Sequence, residues 1–527
     1  MNVAEFLLAG KTDAARPALH LLEGSRTYEE LDSASFSVAT FLLARDLRKG
    51  DRVLLVAENS FFWVASYLGI LRAGLVCVPL APTVTNAELL FICESTEPVA
   101  AFLTRAFHKK NSAVLGDALV VTNDESPDGS LGSVGFGALL SAHGGIATSF
   151  PKTSPDDLAA LMYTSGSTAQ PRGVMITHRN ICANTESIVQ YLRLTERDRA
   201  MSVLPFHYCF GTSVLHSHLR AGGSLVIDHR FMYPEAVLRR MQETECTGFA
   251  GVPSHYQVLL RRSNLKNMEF PVLRYVQQAG GHLSPAFVRE LQTALPNAQV
   301  FVMYGQTEAT ARLAYLPPER LMEKLGSIGV AIPGVRLRVL DASARDVLPG
   351  QQGEVVAEGE NVAAGYWRDP VESAVSFRNG LLYTGDLATV DSDGFIYIVD
   401  RAKDFVKVGG KRISCRQVEE KLTEFDELLE VAVIGVPDPV LGEALKAFVV
   451  PKARPQKGFE ESVRKFCKEC LPPSLLPREI VTLDSLPKNS GGKVMKQALK
   501  NLQERERTVG TNVSCGTSEG VAGMVSR

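Results

Sequence analysis

No apolar run in the 527 residues is long enough to span a membrane, and neither sign of charge is in large excess. The N-terminus also lacks the basic stretch and the apolar stretch that together make a signal peptide. A net charge of -2 gives no reason to expect nucleic acid or an anionic membrane surface as a partner. We therefore expect a cytoplasmic protein with no transmembrane segment.

The cysteines form no recognisable framework. Nine are scattered along the chain, and an odd number argues against a set of disulfides. Cys467 and Cys470 form a lone CxxC pair inside a segment that reads as a helix. A zinc site would need further ligands nearby, so we interpret this pair as two thiols on one helix face.

The length of the chain predicts two or more cores. Apolar runs at 51–56, 76–80 and 99–103 alternate with helical patterns, which is typical of an open, mostly parallel α/β sheet covered on both faces. The alternation resumes between 201 and 304, so we predict two doubly wound sheets in a large N-terminal domain. Short strands after 335 predict a small antiparallel barrel, and a smaller, mobile α+β domain is expected to follow.

Local signals place several elements. Thr27 and Glu30 have the spacing of a capping box, which predicts a helix start. Thr177 follows a Val-Met-Ile run and is a second candidate helix cap. His216 and His218 alternate with leucine and serine, which predicts that both lie on one face of a strand.

The segment 163–173 follows an apolar run and reads Tyr-Thr-Ser-Gly-Ser-Thr-Ala-Gln-Pro-Arg-Gly. Free backbone N–H groups, hydroxyl donors and one cation, placed between a strand and a helix, suit a polyphosphate. Glycines let the backbone approach the phosphates closely. A Walker A loop is excluded, because no lysine followed by serine or threonine ends the run. Composition alone also fits a surface turn.

A second loop follows the predicted strand 300–304 and reads Tyr304-Gly305-Gln306-Thr307-Glu308. Ligands of open α/β sheets bind beyond the carboxyl ends of the strands, so this loop should face the same crevice as the first. An aromatic ring can stack on adenine, and a carboxylate can hold Mg²⁺. Taken alone, the same residues also fit a solvated turn.

Together the two loops resemble the phosphate and adenine motifs of the adenylate-forming superfamily, which contains acyl-CoA synthetases, coumarate CoA ligases, luciferases and peptide-synthetase adenylation domains. Three further stretches match in the family's order: the Tyr-Thr-Gly-Asp run that ends at Asp386, the charged run 400–413 and the lysine loop 487–496. The resemblance covers roughly residues 20–500. Ala169 and Arg172 depart from it, because the family usually has glycine and lysine there, and a planar guanidinium contacts phosphate differently from an ammonium.

The resemblance implies a role for each matching residue. Tyr304 would stack on adenine, Thr307 would contact the α-phosphate, Glu308 would bind the metal, and Asp386 and Arg401 would hold the ribose. The ATP-binding set implied in this way is Thr164, Ser165, Gly166, Ser167, Thr168, Arg172, Gly173, Tyr304, Gly305, Gln306, Thr307, Asp386 and Arg401.

Beyond the nucleotide, the resemblance implies that Lys493 is the catalytic lysine, which would stabilise the charge that develops during displacement at the α-phosphate. It places Lys407 and Arg412 near the adenylate and makes Lys403 the hinge. The glycines of the implied thiol tunnel are Gly409 and Gly410.

The segment 204–211 matches the part of the family that binds the acid. It contains no carboxylate to grip an α-amino group, which argues against an amino-acid substrate. The family's usual histidine falls on Tyr208, with His207 one place early. We expect a fatty or aryl acid in a pocket lined by His207, Tyr208, Ala279, Gly280 and Gly281.

The implied activity is activation of a small carboxylic acid by ATP and Mg²⁺ as an acyl-adenylate with release of pyrophosphate, followed by transfer to the thiol of coenzyme A. Loading of an acyl carrier protein, transfer to an amine and a non-catalytic nucleotide-binding homologue are the alternatives. The expected organisation is an adenylation domain 1–400, a hinge 401–404, a catalytic-lysine domain 405–506 and a disordered tail 507–527.

Overall fold

The computed structural model describes residues 1–124, 132–142, 149–164, 170–401, 405–489 and 491–502. These residues divide into two units. The first contains the described residues up to 401 and a short segment that ends at Lys493. The second contains the described residues of 404–489 and 494–502. None of the described helices has the length and the apolar content that crossing a bilayer requires.

Helices and strands alternate through much of the first unit. Its helices are α1 Val3–Leu8, α2 Tyr28–Leu43, α3 Phe61–Arg72, α4 Asn86–Thr96, α5 Arg105–Leu115, α6 Phe136–Ala142, α7 His178–Leu192, α8 Cys209–Arg220, α9 Pro234–Glu243, α10 Pro253–Arg262, α11 Pro285–Ala294 and α12 Pro370–Ser376. Its strands are β1 Pro17–Leu21, β2 Gly24–Thr27, β3 Arg52–Val56, β4 Val76–Pro79, β5 Ala100–Leu103, β6 Leu119–Thr122, β7 Val134–Gly135, β8 Leu158–Thr164, β9 Arg172–Thr177, β10 Arg199–Ser202, β11 Ser224–Ile227, β12 Gly248–Gly251, β13 Tyr275–Gln278, β14 Gln299–Tyr304, β15 Ala314–Leu316, β16 Val330–Ala331, β17 Val335–Leu340, β18 Gln352–Gly359, β19 Phe377–Arg378, β20 Leu381–Val390 and β21 Ile396–Arg401.

Two large sheets contain the first sixteen strands. The seven-stranded sheet has the order β7-β6-β5-β3-β4-β8-β9, and all of its pairs are parallel except β8 with β9. The nine-stranded sheet has the order β16-β15-β14-β13-β12-β10-β11-β1-β2, with antiparallel pairs only at its two ends. The predicted pair of doubly wound sheets is confirmed.

The apolar core of the first unit joins both sheets to two helices. Ile181 and Ile188 of α7 and Val214 of α8 belong to one buried cluster with Ala160 of β8 and Phe301 of β14. Helix α7 follows β9 of the seven-stranded sheet and α8 precedes β11 of the nine-stranded sheet, so the chain crosses from one sheet to the other here. The ends of β8 and β14, which carry the candidate nucleotide loops, are therefore held by a shared core.

The third sheet of this unit is antiparallel, as predicted. It has the order β17-β18-β20-β19, with β21 paired to β20. The turn between β20 and β21 is closed by Gly394 N–H, which donates to the carbonyl of Asp391 at 3.1 Å. This sheet places Asp386 directly opposite Arg401.

The second unit is an α+β structure. Its elements are β22 Phe405–Val408, β23 Lys411–Ser414, α13 Cys415–Leu422, β24 Leu428–Asp438, β25 Gly442–Pro451, α14 Phe459–Cys470 and β26 Glu479–Thr482. The sheet order is β23-β22-β25-β24, and β26 pairs with β25 in parallel. Val418 of α13 and Val463 of α14 are buried in its core.

Both predicted caps are confirmed. The Thr27 side chain accepts from Glu30 N–H at 3.1 Å, and the Glu30 carboxylate accepts from Thr27 N–H at 2.7 Å. Thr177 makes the same reciprocal arrangement with Asn180 at the start of α7. Each pair satisfies N–H groups that a helix start leaves without partners.

Two expectations are wrong. The loop 165–169 was expected between a strand and a helix, but Thr164 of β8 pairs with Arg172 of β9, so the loop connects two antiparallel strands. His216 and His218 lie on helix α8, not on a strand. A helix that is buried on nearly all sides has no polar face to reveal its period, so a short Leu-His-Ser-His-Leu alternation is ambiguous.

Candidate active site

The candidate phosphate loop is anchored by the β8–β9 pair. Ser165, Gly166, Ser167, Thr168 and Ala169 lie outside the described residues, whereas Thr164 and Arg172 are described at its two ends. Gly173 follows Arg172, and a Cβ added there would lie 3.0 Å from the Tyr163 ring. Close packing therefore explains this glycine.

The Arg172 side chain already has anionic partners. Its Nη1 lies 2.9 Å from a carboxylate oxygen of Glu372, and its Nε lies 3.7 Å from one of Asp369. The guanidinium is also 5.7 Å from the centre of the Tyr366 ring. Its charge is partly compensated without a phosphate.

A backbone connection joins β9 to the segment that carries Tyr366. Met175 N–H donates to Gly365 at 2.9 Å, and Trp367 N–H donates to Gly173 at 2.8 Å. The Tyr366 hydroxyl in turn donates to a carboxylate oxygen of Glu308 at 2.8 Å. One side chain therefore links the strand after the phosphate loop to the candidate metal ligand.

The adenine and ribose candidates meet at the end of β14. Tyr304 donates its hydroxyl to Asp386 Oδ2 at 2.6 Å, and Arg401 Nε lies 3.2 Å from Asp386 Oδ1. Burial, together with the Asp386 carboxylate, raises the pKa of the Tyr304 hydroxyl well above its usual value. The three side chains form one hydrogen-bonded group.

Gly305, Gln306 and Thr307 follow Tyr304 in a tight turn. A Cβ added at Gly305 would lie 1.9 Å from the carbonyl oxygen of Ala311, so no other residue fits there without moving the backbone. Thr307 begins a 3-10 turn, Thr307–Ala309, and its hydroxyl donates to the Cys209 sulfur at 3.4 Å. This contact joins the nucleotide loop to the start of α8.

The candidate acid pocket lies where α8 begins. Burial lowers the pKa of His207 to about 4, so this imidazole is neutral at pH 7. The Tyr208 ring centre lies 4.6 Å from that of His207. Ala279 is buried, and Gly280 has a φ of +81°.

Glycine is needed in this part of the pocket. A Cβ at Gly280 would lie 3.0 Å from Val252 and 4.0 Å from the Phe210 ring, and one at Gly281 would lie 3.2 Å from Pro253. The nearby atoms are side chains rather than backbone, so the two glycines let Val252 and Pro253 pack closely against this segment.

The hairpin of the second unit contains the other predicted residues. Lys407 pairs with Arg412 across β22 and β23, and Gly409 and Gly410 form the turn with φ values of +56° and +81°. The Arg412 guanidinium lies 4.3 Å from the centre of the Phe405 ring.

The two remaining predicted residues differ in what can be described. The hinge candidate Lys403 lies outside the described residues, whereas the Lys493 side chain is described and exposed. The short segment that contains Lys493 belongs to the first unit, where Ser254 donates to the Gly492 carbonyl at 3.0 Å.

Sequence reasoning missed Tyr366 and Cys209, which connect predicted residues to one another. An aromatic residue after Gly365 gave a weak signal for Tyr366, and nothing in the sequence marked Cys209. In the described part of the chain, no group of three or more histidine, cysteine or acidic side chains could hold a metal ion. Cys467 and Cys470 both lie on helix α14, as predicted.

The fold and the loops at its strand ends define a nucleotide-binding α/β enzyme. The model of the AMP-binding enzyme family matches residues 8–367, and the model of the C-terminal domain of AMP-binding enzymes matches residues 417–493. The chain belongs to this family, and the predicted superfamily is confirmed.

The similar proteins include a CoA ligase and a CoA synthase. A long-chain-fatty-acid–CoA ligase of Bacillus subtilis is 29% identical over 90% of this chain and 89% of its own length. A feruloyl-CoA synthase of Amycolatopsis sp is 32% identical over 89% of this chain and 92% of its own. The crystal structure of ATP-bound MatB from Rhodopseudomonas palustris is 28% identical, covers 95% of this chain and 99% of its own, and superposes with a TM-score of 0.82. The predicted class of AMP-forming acid–thiol ligase is confirmed.

Proposed function

We propose that this enzyme activates a carboxylic acid with ATP as an acyl-adenylate and transfers the acyl group to the thiol of coenzyme A. One observation carries the proposal. Within the first unit, contacts run from the strand after the phosphate loop through Tyr366 to Glu308, and from the neighbouring Tyr304 to Asp386 and Arg401. A nucleotide with its phosphates at one end and its base at the other suits this arrangement.

The reaction has two displacements. A carboxylate oxygen attacks the α-phosphorus, the bond to the bridging oxygen breaks, and pyrophosphate leaves with the electron pair. The thiol sulfur then attacks the acyl carbonyl carbon, its proton passes to solvent, and AMP leaves. The names of the relatives, which are CoA ligases, support the second step.

The nucleoside would be held by three side chains that contact one another. The Tyr304 ring, fixed by its bond to Asp386, would offer a face to adenine. Each Asp386 oxygen has one partner, Tyr304 or Arg401, and a carboxylate oxygen can accept a second donor, so both ribose hydroxyls can be bound.

The phosphates would lie between the loop 164–173 and Glu308. One Glu308 oxygen accepts from Tyr366, and an isolated carboxylate suits Mg²⁺, which takes one or two protein carboxylates and otherwise substrate phosphates and water. Mg²⁺ held there would neutralise charge on the phosphate oxygens. Arg172 would reach a phosphate only by leaving Glu372 and Asp369, so we assign it a smaller part than Glu308.

The acid would lie beside Phe210, lined by His207, Tyr208 and the 279–281 segment. Neutral His207 offers one N–H and one acceptor rather than a cation, so it would orient the acid rather than hold its charge. Thr307 would guide the α-phosphate toward this end of the pocket.

We further propose that the chain acts through a movable C-terminal domain, 405–506, joined to the domain 1–400 by the hinge 401–404. The described residues divide into two units between Arg401 and Phe405, which supports this boundary. Lys493 would complete adenylation, and a turn about Lys403 would then present Lys407, Arg412 and the Gly409–Gly410 turn for thioester formation. The tail 507–527, predicted to be disordered, lies outside the described residues. This prediction and that of a cytoplasmic location rest on the sequence alone.

Acid-dependent exchange of pyrophosphate into ATP, measured over a panel of carboxylic acids, tests the first step. We expect exchange by the wild type, a severe loss for Lys493→Ala and a nearly complete loss for Glu308→Ala. Lys109→Ala, on α5, is a control that should exchange normally. Equal exchange by wild type and Lys493→Ala would remove that lysine from its proposed role.

The acceptor is tested by a second measurement with the best acid. Adding coenzyme A should release AMP and form a thioester, whereas a pantetheinylated carrier protein or a simple amine should give little product. Product on the carrier protein alone would support the acyl-AMP ligase alternative. No exchange with any acid, combined with retained ATP binding, would support the non-catalytic alternative.

A further inference from the structure

Arg312 is a buried cation without a carboxylate partner. It is 1% exposed, and among the described residues neither its Nε nor its Nη2 has a hydrogen-bond partner. No carboxylate in the described part of the chain forms an ion pair with it, whereas Arg261 and Arg220, which also lie over phenylalanine rings, pair with Glu290 and Glu186. Burying a charge that has no carboxylate partner costs free energy, so a contribution to stability does not explain why arginine occupies this position.

The guanidinium lies against the candidate acid pocket. Its Cζ is 4.2 Å from the centre of the Phe210 ring, and a Cβ added at Gly280 of the candidate pocket would lie 4.0 Å from the same ring. Burial raises the pKa of the Cys209 thiol, and the charge of Arg312 opposes that shift, so the cation is also close to Cys209. Phe210 and Cys209 begin α8, where the pocket and the Thr307 loop meet.

A second buried polar side chain, Gln277, lies on β13 of the nine-stranded sheet. Gln277 is 1% exposed, and both its side-chain nitrogen and its oxygen lack partners among the described residues. It pairs in register with Phe301, whose ring centre is 6.1 Å from that of Tyr191. Burial raises the pKa of Tyr191 and the charge of Arg312 opposes that shift, so the cation is close to Tyr191. Gln277 therefore neighbours Phe301, and Arg312 neighbours Tyr191, the other member of this ring pair.

The loop that carries Arg312 is strained. Thr310 has a φ of +65°, which is rare for a β-branched residue, and its hydroxyl is held by the Asn361 carbonyl at 2.7 Å. Asn184 and Asn361 both donate to the Arg312 carbonyl, at 3.1 Å and 2.8 Å. Strain that the surroundings maintain is concentrated at functional sites. These contacts hold Arg312 in a defined position.

We propose that Arg312 is the specificity-determining residue of the acid pocket and binds a second, negatively charged group of the substrate, so that the preferred substrates are dicarboxylic acids. The inference rests on the proposed function. Arg312 offers the planar N–H donors that match a carboxylate. The reacting carboxylate would lie toward Thr307, and the second one would lie against the Arg312 guanidinium beside Phe210.

The test measures kcat/KM for adenylation with matched acids: glutarate against pentanoate, suberate against octanoate, and terephthalate against 4-methylbenzoate. The wild type should prefer the dicarboxylate in at least one pair. Arg312→Met, which keeps the length but not the charge, should lower kcat/KM for that dicarboxylate about a hundredfold, because one partner of a buried charge pair is removed. It should change kcat/KM for the monocarboxylate less than about tenfold, because methionine roughly fills the place of the arginine stem. Arg220→Met is the matched control and should keep the wild-type ratio.

Thermal unfolding separates recognition from a structural role. A saturating dicarboxylate should raise the melting temperature of the wild type and not that of Arg312→Met. If Arg312→Met does not fold, Arg312→Lys replaces it and should lower the dicarboxylate preference in part, because lysine keeps the charge without the planar fork.

Three outcomes overturn the proposal. The first is a wild type that prefers the monocarboxylate in every pair. The others are a folded Arg312 variant that keeps the wild-type ratio of kcat/KM for the two acids, or one whose melting temperature the dicarboxylate raises as much as that of the wild type. A wild type that shows no acid-dependent exchange at all would contradict the proposed function instead.

Discussion

The hydroxyl of Tyr366 donates to Glu308 from a segment that is hydrogen-bonded to the strand after the phosphate loop. Burial and the Glu308 carboxylate raise the pKa of this hydroxyl, so it is protonated and acts as a donor at any working pH. The side chain is buried, so water does not compete for the bond. At the scale of a single residue, Tyr366 sets where the candidate metal ligand points.

Replacing Tyr366 with phenylalanine tests this positioning. A hydrogen bond to a charged group is worth about 1.5–3 kcal/mol, so Tyr366→Phe should raise the Mg²⁺ concentration for half-maximal exchange about tenfold. The free energy of unfolding should change less than the apparent free energy of Mg²⁺ binding. Titrating exchange activity with Mg²⁺ and measuring thermal unfolding on the same samples makes the comparison.

Tyr397→Phe is the matched control, because the Tyr397 hydroxyl lies 3.4 Å from Asp391, outside the candidate site. It should leave the Mg²⁺ titration unchanged. An unaltered titration in Tyr366→Phe as well would show that Glu308 does not depend on this bond.

Helix α8 is the element that departs most from expectation and also carries much of the candidate pocket. The strands and the two capped helix starts followed from alternation and from local hydrogen-bonding residues, which are properties of neighbours in sequence. The orientation of Tyr366 toward Glu308 and the burial of Arg312 depend on residues far apart in the chain. No single stretch of sequence contains that information, so these parts of the site required the structure.

His216 of α8 gives the helix a pH-dependent contribution to stability. Burial lowers its pKa to about 3, and it is hydrogen-bonded to the Tyr67 hydroxyl at 2.9 Å. In the unfolded chain the imidazole takes up a proton below about pH 6.5, whereas the folded protein does not. The unfolded state therefore gains protons as the pH falls from about 6.5 toward 3, and folding stability is lost over that range.

At pH 5 this one histidine should cost on the order of 2 kcal/mol relative to pH 7. Urea unfolding of the wild type at pH 7, 6 and 5 should show a falling free energy of unfolding, and the fall should be smaller in His216→Gln. His207 and His178, whose pKa values are each lowered to about 4 by burial, should contribute in the same direction. Parallel curves for wild type and His216→Gln would contradict the assignment.

At the scale of the whole molecule, the described residues form two units whose boundary falls next to the predicted hinge. The number of domains, the sheet types and the family followed from length, alternation and motif order. Domain movement is a different kind of property, because it concerns a change between states. It therefore needs a kinetic test.

Fixing the backbone at Lys403 is that test. Proline locks φ near -65°, so Lys403→Pro should block a rotation that passes through this residue. We expect exchange to fall less than about threefold, because adenylation needs no turn, and thioester formation to fall more than about tenfold. Lys403→Ala should retain both activities. Equal losses of both steps in Lys403→Pro would place the hinge elsewhere or show general damage.

Strand β9 is bonded on one edge to β8 and on the other to the 365–367 segment. Its amides therefore exchange with deuterated solvent only when one of two neighbours separates, and one of these neighbours carries the tyrosine that touches Glu308. A ligand that draws Glu308 toward the phosphates should therefore slow isotope uptake by the amides of this strand.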